Sequence, residues 1–199
     1  MPRRVLITGA SRGIGKAIAE KYKAEGWEVL APTRDELDLG KSGSAYEYKQ
    51  KAGKVDALIS NAAENDCYTE HSNQQLMEIN FGGAYDLVYQ FLESMVDKVW
   101  GRFVFLGSCS ALFGRGERRI SYSASKAACD AALRWGASSY GVHGILFNTV
   151  CPGFVDTVMT RTSLSLNERE KIVEALPLRR LAQPEEIAEF VYFLGSEKN

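Results

Sequence analysis

The stretch RVLITGASRGIGKAIAEKYKAEG at residues 4–26 decides the fold class of this chain. It opens with an apolar run, residues 4–10, which predicts a buried β-strand that ends in a glycine-rich turn. Directly after the turn, Ile14, Ile18 and Tyr22 recur at helical spacing, so their side chains share one face of a predicted helix. A buried strand that passes through glycines into an amphipathic helix is typical of α/β proteins with a parallel sheet.

The turn between this strand and this helix indicates a ligand. Its glycines follow the spacing G-x-x-x-G-x-G, which lets the backbone come close to a pyrophosphate at the N-terminus of the helix. An ordinary glycine-rich turn is the alternative interpretation, but the strand–turn–helix context favours a dinucleotide site. The predicted cofactor contacts in this turn are Gly9, Ser11, Arg12, Gly13, Ile14 and Gly15.

The rest of the chain alternates short apolar runs with helical patterns. The apolar runs predict four further strands, at residues 27–32, 55–60, 101–108 and 145–153. The helical patterns fall at residues 42–52, 74–98, 121–141, 167–176 and 183–196. This alternation predicts a single α/β domain, residues 1–199, with a Rossmann-like doubly wound parallel sheet and helices on both faces. Ligands of such sheets bind beyond the carboxyl ends of the strands.

Composition and charge narrow the class of protein further. The 199 residues are 45% hydrophobic and 25% charged, with a formal net charge of −1, as expected for a globular domain without a strong global field. We therefore expect neither nucleic acid nor a membrane as a partner. The apolar run near the N-terminus is too short for a signal peptide, and the four cysteines lack the spacing of a metal site or a disulfide framework. We expect a cytoplasmic protein without a bound metal.

The residues after the second predicted strand indicate which dinucleotide binds. Thr33 and Arg34 stand where a carboxylate would favour the ribose hydroxyls of NAD(H), and Arg12 could reach the same place. Two guanidinium groups beside a hydroxyl suit the 2′-phosphate of NADP(H). Asp35 follows immediately, and its side chain would favour NAD(H) if it pointed inward. NADP(H) is the predicted cofactor, and NAD(H) is the alternative.

Small or polar residues also follow the remaining predicted strands. They are Asn61, Ala62 and Ala63 after the third strand, Ser108, Cys109 and Ser110 after the fourth, and Pro152, Gly153, Val155 and Thr157 after the fifth. Short side chains at these positions let a cofactor lie against the strand ends, and hydroxyl groups there can contact a substrate.

The predicted helix at residues 121–141 begins with SYSASKAA, which places Tyr122 one helical turn before Lys126. An ammonium group at that distance favours the ionised form of the phenol, as a general acid or base requires. A Tyr-x-x-x-Lys spacing also occurs by chance, so the pair indicates a catalytic role only in combination with the other motifs.

Six motifs occur in a fixed order along the chain: TGASRGIG, NAA, Asn80, GS, YSASK and PGFVDT. In this order and at this spacing they resemble the short-chain dehydrogenase/reductase family, from about residue 4 to the end of the sequence. In motif style the chain is most similar to the bacterial 3-oxoacyl reductases. The resemblance implies hydride transfer between NADP(H) and a ketone, an aldehyde or the corresponding alcohol.

The resemblance also implies roles for individual residues. The implied catalytic residues are Tyr122 as general acid or base, Lys126 on the nicotinamide ribose, Ser108 on the substrate oxygen and Asn80 in a proton relay. The implied cofactor contacts are Thr157 at the nicotinamide, Asn61 at the adenosine ribose, and Asp38 with Leu39 near the adenine.

The sequence departs from the family pattern at three places. Cys109 stands thirteen residues before Tyr122, where the family has its serine. Ser108 is the expected catalytic serine if the following loop holds one extra residue, and Ser110 is the other candidate. The segment between the second and third predicted strands is short, and the sequence given ends at GSEKN, before the final edge strand that the family carries.

The sequence also indicates an oligomeric state and the charge of the substrate. The helices predicted at 74–98 and 121–141 are apolar around much of their circumference, and the family pairs such helices across a two-fold axis, so we expect a homodimer. A local excess of arginine favours an anionic or carrier-bound carbonyl substrate, although a solvated surface would explain it too. These arginines are Arg115, Arg118, Arg119, Arg161, Arg179 and Arg180.

The alternatives to a reductase are a dinucleotide-binding protein with little turnover, acting as a sensor or assembly partner, and a short-chain epimerase or dehydratase.

Overall fold

The computed structural model describes residues 2–65, 70–113 and 120–199. Five parallel strands form one sheet in the order β2-β1-β3-β4-β5. The strands are β1 (Arg4–Ile7), β2 (Glu28–Leu30), β3 (Ala57–Ser60), β4 (Gly101–Leu106) and β5 (Ile145–Val150). All five lie within the predicted apolar runs, and the Rossmann-like fold class is confirmed.

Helices cover both faces of the sheet. They are α1 (Gly13–Ala24), α2 (Ser44–Ala52), α3 (Asn73–Met77), α4 (Gly83–Val96), α5 (Ser110–Phe113), α6 (Ile120–Tyr140), α7 (Val158–Ser163), α8 (Leu166–Ala175) and α9 (Pro184–Gly195). The short helices α5 and α7 were not predicted, and each begins just beyond the carboxyl end of a strand. Within the described ranges, no helix is long and apolar enough to cross a membrane.

The strand order reverses at β1, which pairs with β2 on one side and with β3 on the other. The helix that follows β1 and the long helix that follows β3 pack on opposite faces of the sheet, so a crevice opens between the carboxyl ends of β1 and β3. This crevice is where the glycine-rich turn after β1 lies.

Two apolar layers cover the sheet. In β4, Phe103 and Phe105 pack toward α2, α4 and α6, whereas Val104 and Leu106 pack toward α1 and α9. Both sets of side chains are buried. A strand that is covered on both faces needs an uninterrupted apolar sequence, which explains why the runs for β1, β3 and β4 stand out in the sequence.

The long helix predicted at residues 74–98 contains a π-helical turn. Its helical path runs from Asn73 to Val96, but Glu78–Gly82 forms the π-helical turn between α3 and α4. Such turns insert one extra residue into a helix and are frequent at functional sites. Asn80 lies in the middle of this turn and is fully buried.

The contact between α1 and α9 generates a prediction about stability. A Cβ on Gly195 would lie 2.1 Å from the Tyr22 hydroxyl oxygen, and this buried hydroxyl finds no hydrogen-bond partner among the described residues. Gly195→Ala should therefore destabilise the fold by about 1–3 kcal/mol through overpacking. Tyr22→Phe removes the clashing atom, so the double variant should recover most of this loss. Urea unfolding of the two single variants and the double variant tests the prediction, and strictly additive effects would contradict it.

Candidate active site

The glycine-rich turn after β1 needs glycine for steric reasons. Gly9 and Gly13 have φ angles of +67° and +56°, in the left-handed region that glycine tolerates. A Cβ on Gly15 would lie only 2.2 Å from the Gly9 carbonyl oxygen. The first turn of α1 can therefore approach the end of β1 this closely only if residue 15 has no side chain.

The N-terminus of α1 faces this turn without a side-chain cap. Arg12 is the N-cap residue, its side chain makes no capping hydrogen bond, and the first turn contains no acidic residue. The first backbone N–H groups of a helix have no partner within the helix, and the helix dipole favours an anion there. The residues present therefore fit the pyrophosphate of a dinucleotide.

Hydrogen bonds between the ends of β1 and β3 hold the turn in place. The Thr8 hydroxyl accepts from the N–H groups of Asn61 and Ala62 at 3.1 and 3.0 Å. In return, Asn61 Nδ2 donates to the carbonyl oxygens of Thr8 and Gly9 at 3.0 and 3.1 Å. Asn61 lines the cleft as predicted, but its side-chain N–H groups stabilise the loop.

A cleft of about 340 Å³ extends along the carboxyl ends of β1, β2 and β3 toward α6. Most of the predicted cofactor contacts line it. They are Gly9, Ser11, Arg12, Gly13, Ile14, Gly15, Arg34, Asp38, Leu39, Asn61, Ala62, Ala63, Tyr122, Lys126 and Thr157. Several lining residues were not predicted from the sequence, namely Thr8, Pro32, Leu37, Glu64, Ile79, Leu106, Gly107, Val158 and Met159.

Other predicted cofactor contacts lie outside the lining of this cleft. The Thr33 N–H and hydroxyl both donate to the Glu36 carboxylate, at 2.8 and 3.1 Å, which turns the hydroxyl toward that loop. Pro152 and Val155 also lie outside the lining, and Gly153 lines a second cavity. Asp35, whose inward orientation would have favoured NAD(H), is exposed and does not line the cleft.

One end of the cleft holds several charged groups. Arg34 Nη1 lies 2.9 Å from Glu64 Oε1, and Arg34 Nε lies 3.8 Å from Asp38 Oδ1. The other carboxylate oxygen of Glu64 forms a hydrogen bond with His71 Nδ1. Arg12 lines the same cleft. This end therefore contains two arginines and two carboxylates.

Lys126 is buried beside Tyr122 at the other end of the cleft. Its ammonium group donates to the Leu106 carbonyl oxygen at 2.6 Å and lies 5.8 Å from the centre of the Tyr122 ring. Desolvation lowers the pKa of Lys126 to about 8, although Cys129 and Cys151 oppose the shift. An ammonium that loses its hydration and gains few partners is destabilised in its charged form.

Asn80 connects the π-helical turn to the segment after β3 and to helix α6. Its side-chain oxygen accepts from the Glu64 N–H at 2.8 Å, and its Nδ2 donates to the Glu64 carbonyl oxygen at 2.8 Å and to Ser125 Oγ at 3.1 Å. Ser125 Oγ in turn donates to the Tyr122 carbonyl oxygen at 2.8 Å. The Asn80 carbonyl oxygen accepts from Cys129 Sγ at 3.2 Å. The side chain of Asn80 therefore links helix α6 to the segment after β3.

A second cavity of about 110 Å³ adjoins the cleft, and Tyr122 and Met159 line both. Both candidate serines, Ser108 and Ser110, line this cavity and are buried, and Cys109 lines it with partial exposure. Ser108 Oγ accepts from the Ser110 N–H at 3.1 Å. The cavity is therefore where a substrate oxygen could meet the Tyr122 hydroxyl.

The arginines predicted to attract an anion fall into three groups, of which the exposed Arg179 is one. Arg115, Arg118 and Arg119 lie outside the described residues. In the later segment, Arg161 pairs with Asp156 through two hydrogen bonds, at 2.8 and 2.9 Å. Arg180 pairs with Glu186 in the same way, at 2.6 and 2.7 Å. The carboxylates neutralise Arg161 and Arg180, so these two contribute little net positive charge. Among the described residues, no group of His, Cys, Asp and Glu side chains could hold a metal ion.

Comparison with known families gives matches that together span residues 3–199. The family model described as short chain dehydrogenase matches residues 3–45, and the model described as enoyl-(acyl carrier protein) reductase matches residues 43–199. The chain belongs to the short-chain dehydrogenase/reductase family. The resemblance stated from the motifs and the predicted enzyme class are thus confirmed.

Individual relatives in this family cover nearly the whole chain. The 3-oxoacyl-[acyl-carrier-protein] reductase MabA of Mycobacterium tuberculosis is 32% identical, over 98% of this chain and 86% of its own length. The acetoacetyl-CoA reductase of Rhizobium meliloti is 30% identical, over 99% of this chain and 92% of its own length. The 3-oxoacyl-[acyl-carrier-protein] reductase FabG of Escherichia coli is 30% identical, over 97% of this chain and 89% of its own length.

Solved structures agree with the fold. A short chain dehydrogenase/reductase family protein superposes with a TM-score of 0.85 at 30% identity, covering 98% of this chain and 90% of its own. The TT0495 protein of Thermus thermophilus superposes with a TM-score of 0.86 at 28% identity, covering 100% of this chain and 92% of its own.

The buried ammonium of Lys126 predicts that this residue lowers the stability of the fold at neutral pH. Its pKa falls from the ordinary 10.5 to about 8 on folding. Between these values the unfolded chain binds more protons, so stability rises with pH there and is lowest below pH 8. Lys126→Met should therefore raise the free energy of unfolding at neutral pH by about 2 kcal/mol, which is the desolvation cost less the lost hydrogen bond.

This advantage of the methionine variant should shrink as the pH rises above 8 toward 10.5. Urea unfolding across this pH range measures it. The exposed Lys16, on α1, provides the control, because Lys16→Met removes a charge that stays in water. A Lys126→Met variant that is less stable than the natural protein at neutral pH would contradict the prediction.

Proposed function

We propose that this chain is an NADP(H)-dependent reductase that converts a ketone or aldehyde to the alcohol, with Tyr122 as the general acid. The observation that carries the proposal is the position of Tyr122. Its side chain lines both the long cleft and the second cavity, and Lys126 lies one helical turn behind it. A proton donor at the junction of a cofactor cleft and a substrate cavity is what carbonyl reduction requires.

The glycine-rich turn and the N-terminus of α1 would hold the pyrophosphate of the cofactor, and Thr157 and Lys126 would hold its nicotinamide half. Thr157 lines the cleft from the segment after β5, where its hydroxyl caps α7. When bound, the nicotinamide supplies the hydride for the carbonyl carbon. The protein contributes binding, orientation and the proton.

Tyr122 donates its phenolic proton to the substrate oxygen, and the nearby Lys126 ammonium stabilises the negative charge that then develops on the phenol. Ser108 holds the same substrate oxygen through a hydrogen bond. We assign this role to Ser108 rather than Ser110 because Ser108 lies in the turn between β4 and α5, nearer the strand end, and its hydroxyl is oriented by the Ser110 N–H.

Asn80 holds the helix that carries Tyr122 and Lys126 in place. Its side chain is engaged by Glu64 and Ser125, so it fixes α6 against the segment after β3. A carbonyl oxygen has two lone pairs, so the Asn80 carbonyl can accept a second hydrogen bond beside the one from Cys129. A proton relay through Asn80 therefore remains part of the proposal.

NADP(H) is the proposed cofactor because Arg12 and Arg34 both line the cleft. Guanidinium groups form strong charge-assisted hydrogen bonds with a phosphate, and a 2′-phosphate distinguishes NADP(H) from NAD(H). The ratio of the dissociation constants of NADPH and NADH measures the preference directly.

The proposed substrate is a 3-oxoacyl thioester, either carrier-bound or on coenzyme A. Support comes from the relatives, which are named as 3-oxoacyl-[acyl-carrier-protein] and acetoacetyl-CoA reductases. Both carriers present phosphate groups, so an anionic substrate remains consistent with the sequence-based expectation. A panel of acetoacetyl thioesters and neutral ketones of similar size would test the substrate class.

The cytoplasmic location stays a prediction.

The role of Tyr122 leads to a direct test. Tyr122→Phe should lower kcat for acetoacetyl thioester reduction by at least about a hundredfold, because the proton donor is lost. The dissociation constant for NADPH should change little, since the aromatic ring remains. Tyr46, which is exposed on α2, provides a matched control through Tyr46→Phe.

The outcomes of this test separate the alternative functions. If the natural protein reduces no carbonyl compound but binds NADPH as well as the variant does, the chain is a dinucleotide-binding protein with little turnover. Turnover of a nucleotide sugar without net consumption of NADPH would indicate an epimerase or dehydratase.

We also propose a homodimer through α4 and α6. On the described surface of these helices, Tyr89 and Trp135 are 69% and 52% exposed. Trp135 also lines an apolar groove between the two helices, together with Phe81, Val88 and Leu133. Replacing both Tyr89 and Trp135 by glutamate should convert the dimer to a monomer in light scattering, whereas Tyr46→Glu should not. A natural protein that is monomeric at micromolar concentration would contradict the proposal.

A further inference from the structure

The ion pair between Arg34 and Glu64 lies at the end of the cleft where the 2′-phosphate would bind. Arg34 Nη1 is 2.9 Å from Glu64 Oε1, and both residues line the cleft. Asp38 is farther from the guanidinium, at 3.8 Å, and its Oδ1 also accepts from the Gly40 N–H. Among the carboxylates of the described residues, Glu64 therefore lies nearest to the cation on which NADP(H) binding is proposed to depend.

Glu64 is held in this position from several sides. Its backbone N–H and carbonyl oxygen both bond to the Asn80 side chain at 2.8 Å, and Asn80 is fully buried. The second oxygen of its carboxylate bonds to His71. The Glu64 side chain is 26% exposed, against 59% for Arg34. The carboxylate is thus the fixed member of the pair, and the guanidinium is the member with freedom to reorient.

A fixed carboxylate beside Arg34 affects the two cofactors differently. The 2′-phosphate of NADPH would add about two negative charges near the Glu64 carboxylate and would have to share the guanidinium with it. The ribose 2′-hydroxyl of NADH carries no charge, and a carboxylate can accept a hydrogen bond from it. Glu64 therefore opposes the phosphate and not the hydroxyl.

We propose that Glu64 is a specificity-determining residue that weakens NADPH binding relative to NADH and so brings the two affinities closer together. This inference rests on the proposed NADP(H)-dependent function and adds a residue that limits the preference. Arg12 and Arg34 attract the 2′-phosphate and so raise the affinity for NADPH above that for NADH. Glu64 reduces the ratio of these two affinities.

The test is the variant Glu64→Gln, which keeps the shape of the side chain and a hydrogen-bond acceptor for Arg34 while removing the charge. Equilibrium binding, followed by the fluorescence of the reduced nicotinamide, gives the dissociation constants without turnover. The dissociation constant for NADPH should fall about threefold to tenfold, as expected for removing a like charge several ångströms from a phosphate in water. The constant for NADH should stay within about twofold, and the gain for NADPH should shrink at high salt, because screening weakens such interactions.

The control is Glu47→Gln, which makes the same change in net charge at an exposed ion pair on α2, outside the cleft lining. It should leave both dissociation constants unchanged. Glu64→Asp provides a second variant that keeps the charge but draws the carboxylate back from Arg34. It should strengthen NADPH binding less than Glu64→Gln does, and it keeps the test open if the glutamine variant does not fold.

Arg34→Gln separates a failure of this inference from a failure of the proposed cofactor. If Arg34→Gln leaves the NADPH constant unchanged, the proposed role of Arg34 is wrong. If Arg34→Gln weakens NADPH binding, but Glu64→Gln weakens it too, leaves it unchanged or strengthens both cofactors equally, Glu64 does not limit the preference for NADPH. The specificity role of Glu64 is then overturned, and the NADP(H) assignment stands.

Discussion

The carbonyl oxygen of Gly9 lies 2.2 Å from the place where a side chain on residue 15 would begin. This steric constraint brings the first turn of α1 against the end of β1, where the uncapped N–H groups of the helix face the crevice between β1 and β3. Asn61 closes the arrangement from β3 by donating to the carbonyl oxygens of Thr8 and Gly9. The position of the cleft, and therefore of every group that lines it, depends on this contact.

The opposite end of the cleft shows a conflict between folding and chemistry. A buried lysine with one short hydrogen bond to a backbone carbonyl is an unfavourable choice for a stable core. The same burial keeps the ammonium dry and close to Tyr122, where a cation acts more strongly on a developing phenolate than it would in water. Stability is lost at the position where the proposed reaction needs the charge.

Much of the fold could be predicted from the sequence, because a parallel sheet covered on both faces forces uninterrupted apolar runs such as those of β1, β3 and β4. The glycine-rich turn and Tyr122 with Lys126 were predictable for a similar reason, since each motif has a fixed place relative to a strand or helix. The π-helical turn around Asn80 was not predictable, because it changes a helix by one residue without changing its apolar pattern.

The less accurate part of the site prediction concerns residues whose side chains could turn in either of two directions. Thr33 follows β2 as expected, but its hydroxyl donates a hydrogen bond to the nearby Glu36 carboxylate and so turns away from the cleft lining. Glu64 and Met159 gave no signal, because neither belongs to a motif and each reaches the cleft only through tertiary packing. Hydrogen bonds join the Tyr122 backbone carbonyl through Ser125 and Asn80 to the Glu64 backbone, and the Glu64 carboxylate bonds to Arg34. These contacts connect the two ends of the cleft, and energetic coupling between the ends can pass through them. Coupling of this kind is reciprocal, so a ligand that binds at Tyr122 and changes the affinity at Arg34 must have its own affinity changed by the same factor.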